Sequence, residues 1–352
     1  MMRNILCAGA LLLAMTCNVQ AITIQDRINA ATTTAEGDGV NTPPAADCAA
    51  IQPFWWEIGD NTALIAGDTS SNDGTATVPN EGTHMAIASA SKWIYAAYVA
   101  ERYGGALGGY DVQFMTMESG YHNMSACNWS GIATVDDCLA YVNSNGHTNG
   151  YRDPSAIGWF AYDGGHYEAH AGHLPGLPQQ GAAGSYIDLG ADNDSALTAE
   201  VDGVLGMNVV ITYNQPLLAG GVESTPGLYA TFLRAIMSGN LEMSSLLGMF
   251  RVCTNVTTCP NSLNTPVPGN ESWDFSIGHW VEDDPNVGDN SYSNAGSRGF
   301  YAWIMKDKSY YGIIGKDVDP PQGKTDSTYM GWPSVECGRL IRKAWVTGQP
   351  QP

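Results

Sequence analysis

The position of the strand patterns constrains this chain most. Two short apolar runs, Trp55 to Ile58 and Ala63 to Ala66, lie near the start and are broken by Gly59-Asp60-Asn61, a hairpin signal. Strand patterns return near the end. Trp273 to Glu282 alternates like one strand, and Gly299 to Met305 and Tyr310 to Lys316 read as a hairpin turning at Lys306-Asp307-Lys308. Helical patterns and turn-rich loops fill the middle. They include Val135 to Asn143 and Gly227 to Met237, the latter with Ser224 or Thr225 as N-cap, and a terminal helix runs from Ser334 to Val346. A sheet has to be assembled from both chain ends. The expected fold is therefore of α/β (α+β) type, a central antiparallel sheet flanked by helices. Residues of about 45–100 and 240–350 build the sheet region, with a mainly helical insert over about 101–239.

Residues 1–21 read as a secretory signal: Arg3, an apolar core from Ile5 to Met15, and the cleavage pattern Val19-Gln20-Ala21. That apolar run is too short to span a bilayer. Acylation at Cys17 is the weaker alternative, because Thr16 stands where a smaller residue is expected. No later stretch has the length and apolarity of a membrane helix. The mature chain, residues 22–352, is expected to be secreted or periplasmic.

Removing the signal takes Cys7 and Cys17 and leaves six cysteines, an even number in an exported chain, which suggests disulfides. Proximity favours Cys127–Cys138 and Cys253–Cys259, which leaves Cys48–Cys337 to tie the two ends together. A metal site is not expected. No cysteines have Cys-x-x-Cys spacing, and His166, His170 and His173 sit among glycines without a suitably placed glutamate. With a net charge of −20 and only 14% charged residues, the chain repels nucleic acid and anionic membranes.

The chemistry centres on Ser89-Ala90-Ser91-Lys92. A serine hydroxyl needs a base beside it, and residues three apart share a helix face. Trp93, Ile94, Ala96, Ala97, Val99 and Ala100 recur at helical spacing after the serine, and Gly104-Gly105 ends the run. By itself Ser-x-x-Lys is a weak signal, since serines at helix starts commonly serve only as caps.

Further stretches give it weight by their order. They are Phe114 to Gly120, Phe160-Ala161-Tyr162-Asp163-Gly164, Ala219 to Thr225, Ser276 to Val281, and Asn294-Ala295-Gly296-Ser297-Arg298. Together with Ser89 and Lys92 this series resembles the penicillin-recognising serine hydrolases: class C β-lactamases, D-alanyl-D-alanine carboxypeptidases and related esterases. The resemblance spans nearly the whole mature chain and implies specific roles. Ser89 would be acylated, Lys92 would take its proton, and Tyr162 would assist as a base and pass a proton to the leaving group. The N–H groups of Ser89 and Ser297 would form an oxyanion hole. Asn294, Gly296, Arg298 and Asn123 would contact substrate.

Two departures stand out. Gly164 occupies the place of the asparagine in Tyr-x-Asn. Tyr121-His122-Asn123 spells that motif elsewhere, so Tyr121 is the rival to Tyr162. Asn294 and Ala295 replace the Lys/His and Thr of the third motif, which removes a cation that would hold a substrate carboxylate; Arg298 is the candidate substitute. The expected activity is cleavage of an ester or amide with a neutral acyl group, on a small-molecule or oligomeric substrate and with no cofactor. A D-peptidase or weak β-lactamase, and a non-catalytic ligand-binding member, are the alternatives.

Overall fold

The computed structural model describes residues 21–72, 78–125, 127, 131–174, 187–206, 211–318 and 331–352. Their framework is an eight-stranded sheet. From one edge to the other its order is Leu64–Ser70, Phe54–Gly59, Tyr311–Gly315, Tyr301–Ile304, Tyr292–Ala295, Trp280–Val281, Asp274–Phe275 and Val252–Cys253. Every pairing in it is antiparallel. The two chain ends meet where Trp56 pairs with Ile314 and Ile58 with Gly312. The sheet is thus built from both termini, as the strand patterns implied.

Two local signals direct the first hairpin and the last. The Asp60 carboxylate accepts from the N–H groups of Thr62 (2.7 Å) and Ala63 (2.9 Å), which closes the turn after Gly59. At the other end Asp307 accepts from Ser309 N–H at 3.0 Å. The central strands Tyr301–Ile304 and Tyr311–Gly315 are buried throughout, so both sheet faces are covered. The helix Gly331–Thr347 packs on these strands and against the helix Ile24–Glu36. Gly312 and Gly338 make room for the stacked rings of Tyr301 and Trp303: a Cβ on Gly312 would lie 2.1 Å from Trp303, and one on Gly338 2.5 Å from Tyr301.

A buried ionic network locks this layer. Glu282 Oε2 accepts from Arg342 (2.7 Å) and Arg339 (3.3 Å), and Glu282 Oε1 accepts from the Tyr301 hydroxyl at 2.5 Å. Burial pushes the Glu282 pKa upward, but Arg342 and Arg339 outweigh it and hold the carboxyl down at about 2. The Cys48–Cys337 disulfide joins the short helix Ala46–Ile51 to the terminal helix, and Cys127–Cys138 and Cys253–Cys259 are also bonded.

The helix Pro226–Met237 packs on the Tyr311–Gly315 strand, and Thr225 caps it by accepting from Leu228 N–H at 3.1 Å. The expected Val135–Asn143 helix ends at Ala140. The stretch Trp273–Glu282 is not one strand. Gly278, at φ +70°, turns the chain between Asp274–Phe275 and Trp280–Val281, and a left-handed residue cannot lie inside a strand. The helix Ile24–Glu36 had no counterpart in the strand-and-helix pattern read from the sequence. Residues 1–20 of the expected signal, 1–21, lie outside the described residues. Among those described, no helix is long and apolar enough to cross a membrane.

Candidate active site

Ser89 lies in a 3-10 turn, Ala88–Ala90, that runs into the helix Ser91–Arg102. Ala88 is held at φ +45°, an unfavourable region for a residue with a Cβ. Several contacts impose that conformation. Ile87 N–H donates to the Val222 carbonyl (3.1 Å), Ser91 Oγ donates to the Ala88 carbonyl (2.6 Å), and the Tyr229 hydroxyl donates to the Ala90 carbonyl (3.1 Å). The strand Met85–Ala86 pairs with Val222–Ser224, so the Ala219 to Thr225 stretch is the cradle of the serine turn.

One helical step on, Lys92 returns to this turn. Its Nζ donates to Ser89 Oγ at 3.0 Å and to the Ala219 carbonyl at 2.9 Å. The residue is only 4% exposed. Burial lowers its pKa from 10.5 to about 8, against the pull of the Asp163 and Glu168 carboxyls.

Tyr162 completes the group. Lys92 Nζ stands 4.9 Å from the centre of its ring, which sets the phenol beside the serine and lysine. Burial pushes the phenol up to about 12, with Ser89 pulling the other way. The Gly278 hairpin buttresses this ring: Trp280 stacks on it at 5.3 Å and Phe275 meets it edge-on at 6.1 Å. Asn264 anchors the backbone, accepting from Tyr162 N–H through its side chain at 2.5 Å.

Gly164 has a packing reason. A Cβ there would lie 2.9 Å from Met124 Sδ and 3.2 Å from the Ala219 Cβ, so the thioether fills the space an asparagine side chain would need. Asp163, with burial pushing its pKa up to about 6, accepts from the N–H groups of Gly165 (2.7 Å) and Met124 (3.3 Å). The Tyr121 ring is placed elsewhere. It is buried, stacks on Phe114 at 5.6 Å and lies under the Arg152 guanidinium.

The third motif reaches the serine turn from the sheet. A Cβ on Gly296 would sit 2.1 Å from the Ile87 carbonyl oxygen, so glycine there permits the strand end to approach the backbone that leads into Ser89. Asn294 is fully buried. Its Nδ2 donates to the Gly278 carbonyl at 2.7 Å, and its Oδ1 has no partner among the described residues. Arg298 is paired with Asp317. Asn123 serves a loop, donating to the Thr148 carbonyl at 3.1 Å and accepting from Asn145. The structure therefore gathers Ser89, Lys92 and Tyr162, brings the Gly296 backbone against Ile87 and Ala88 beside them, and leaves Tyr121 and Asn123 in other surroundings.

Two neighbours of Lys92 escaped the sequence reading: the Ala219 carbonyl, and Glu168, which is fully buried and has a pKa raised by burial to about 8. A carbonyl leaves no residue-type signal. Glu168 stands within Gly-His-Tyr-Glu-Ala-His, and a glutamate between two histidines draws attention only to metals. Among the described residues no group of three or more His, Cys, Asp or Glu side chains is placed to hold a metal ion.

Neither the family models nor the curated proteins compared with the chain match it. Solved structures do. A D-amino acid amidase from Ochrobactrum anthropi SV3, complexed with L-phenylalanine, superposes over 92% of this chain and 99% of its own, at 11% identity and a TM-score of 0.59. The LovD9 mutant of simvastatin synthase from Aspergillus terreus covers 91% and 99%, at 12% and 0.54. The octameric penicillin-binding protein homologue from Pyrococcus abyssi covers 86% and 75%, at 12% and 0.54. At such identities the likeness is one of fold. The chain has the β-lactamase/transpeptidase-like fold, as the order of its motifs implied.

Proposed function

We propose that this protein is a serine hydrolase that cleaves an ester or amide through an acyl-enzyme on Ser89. The observation that carries the reading is the 3.0 Å contact between Ser89 Oγ and a lysine amine whose pKa burial lowers to about 8. At pH 7 about a tenth of such an amine is free base, against well under a thousandth for an ordinary lysine. Lys92 takes the proton as Ser89 Oγ attacks the carbonyl carbon. Tyr162, which stays a neutral phenol at this pH, relays a proton to the leaving alcohol or amine. The developing oxyanion is met by the N–H groups of Ser89 and Ser297. Water then attacks the acyl carbonyl, the same groups move its proton, and Ser89 is regenerated.

The acyl group is a neutral one. Asn294, buried, stands where a cation would hold a carboxylate, and Arg298 is engaged with Asp317. Losing such a charge-assisted hydrogen bond costs an anionic substrate roughly 1.5–3 kcal/mol. The test compares p-nitrophenyl butyrate, nitrocefin and a D-alanyl peptide on the wild type, Ser89→Ala and Lys92→Ala. Ester turnover that disappears in both variants is expected, with slower reaction of the two anionic substrates. Turnover persisting in Ser89→Ala, or no turnover and no fluorophosphonate labelling at all, would overturn the proposal.

A further inference from the structure

One buried acid beside Lys92 has no part in that mechanism. Glu168 lies on the short helix Gly165–Ala171 and is fully buried. Its Oε1 accepts from Ala219 N–H at 3.0 Å, while the Ala219 carbonyl accepts from Lys92 Nζ at 2.9 Å. Ala219 is thus held by Glu168 on its N–H side and holds Lys92 on its carbonyl side. Glu168 Oε2 is buried and has no partner among the described residues. A charged oxygen left bare in that position costs far more than a neutral one.

We propose that Glu168 is a positioning residue kept in its neutral acid form: it fixes the Ala219 backbone that orients Lys92 and withholds a negative charge that would keep the amine protonated. The inference rests on the proposed role of Lys92. Burial pushes the Glu168 pKa up to about 8, more than the Ala219 and Leu218 N–H groups and Lys92 pull it down, so the acid form predominates at pH 7. The groups facing it are Lys92 and the phenols of Tyr95 and Tyr213, both raised well above 10 by burial and therefore neutral. Lys92 in turn faces Asp163, Tyr162 and His166, the last kept neutral by burial with its pKa near 3. Ionising Glu168 would add a second carboxylate to Asp163 beside the amine and favour the ammonium form.

The test measures the rate of fluorophosphonate labelling against pH in the wild type, Glu168→Gln and Glu168→Ala, with the wild-type minus Glu168→Gln infrared difference spectrum at pH 7. Glutamine reproduces the neutral acid, including its acceptor oxygen. The expected result is a Glu168→Gln rate within about threefold of wild type and a pH midpoint within about half a pH unit. Glu168→Ala should be at least tenfold slower, and a carboxylic-acid carbonyl band should appear in the difference spectrum. Carboxylate bands alone, a midpoint displaced by a pH unit or more, or Glu168→Gln as slow as Glu168→Ala would overturn it. An unlabelled wild type, or labelling that persists in Ser89→Ala, would instead defeat the proposed function; the infrared result stands apart from both.

Discussion

Replacing Lys92 by methionine should raise stability while abolishing turnover. Lys92 is 4% exposed and its pKa falls from 10.5 to about 8, a difference of about 2.5. At 1.36 kcal/mol per pH unit, the native state therefore carries a burden of about 3 kcal/mol at pH 7 for enclosing the ammonium form. Methionine has similar length and no charge to desolvate, but it leaves the Ala219 carbonyl and Ser89 Oγ without their 2.9 and 3.0 Å contacts. Those losses take back about 1–2 kcal/mol, for a net gain of about 1–2 kcal/mol at pH 7. With an unfolding entropy of about 2.1 cal/mol/K per residue, the midpoint should rise by about 2 °C. The sign reverses with pH. The unfolded lysine keeps its proton up to 10.5 whereas the native one loses it near 8, so the wild type gains stability across that interval and the gap closes. Denaturant unfolding of both proteins at pH 7, 8.5 and 10 reads this directly. A Lys92→Met protein less stable than wild type at pH 7, with a gap that does not change up to pH 10, would refute the reasoning, as would retained ester turnover.

Tyr162→Phe should lower kcat by about 10²–10⁴ with the fold intact, whereas Tyr121→Phe should leave kcat within a few-fold; steady-state kinetics of the pair decides between them. Glu282→Gln should destabilise the protein by about 3–5 kcal/mol at pH 7, because Arg342 is left buried without its carboxylate. The stability from the lowered Glu282 pKa is present above about 4.5 and lost as pH falls towards 2. The wild-type advantage, seen by urea unfolding, should therefore shrink over that range. Replacing Cys48 and Cys337 together by serine opens a link across 289 residues and should lower stability by up to about 5 kcal/mol in a thermal melt, with ester turnover retained at low temperature.

What could be read from the sequence depended on whether the determining interaction was local. Thr225 as a cap and Asp307 in the last hairpin need only near neighbours, and both stood out by residue type. The union of the two chain ends was legible because strand patterns cluster at both ends with helical patterns between them. The Cys48–Cys337 bond followed by elimination once the two pairs close in sequence were assigned. The break at Gly278 was missed because alternation continues on both sides of it, and only the close packing of Lys92 and Ala96 against that glycine reveals the turn. The helix Ile24–Glu36 did carry a signal, the capping box of Thr23 and Asp26. Its polar sequence lacks a strong apolar stripe, and it gains its burial from the terminal helix. Glu168 and the Ala219 carbonyl reach Lys92 only through tertiary folding, from 76 and 127 residues away along the chain. Gly164 looked like a lost asparagine until Met124 was found in its place.

The nucleophile itself is tested most directly by the mass of the intact protein during reaction with a slow ester or a fluorophosphonate, followed by peptide mapping. A single adduct on Ser89, formed faster as pH rises through about 8 and absent from Ser89→Ala, is the expected result. An adduct on any other residue, or one that forms equally well without the Lys92 amine, would contradict it.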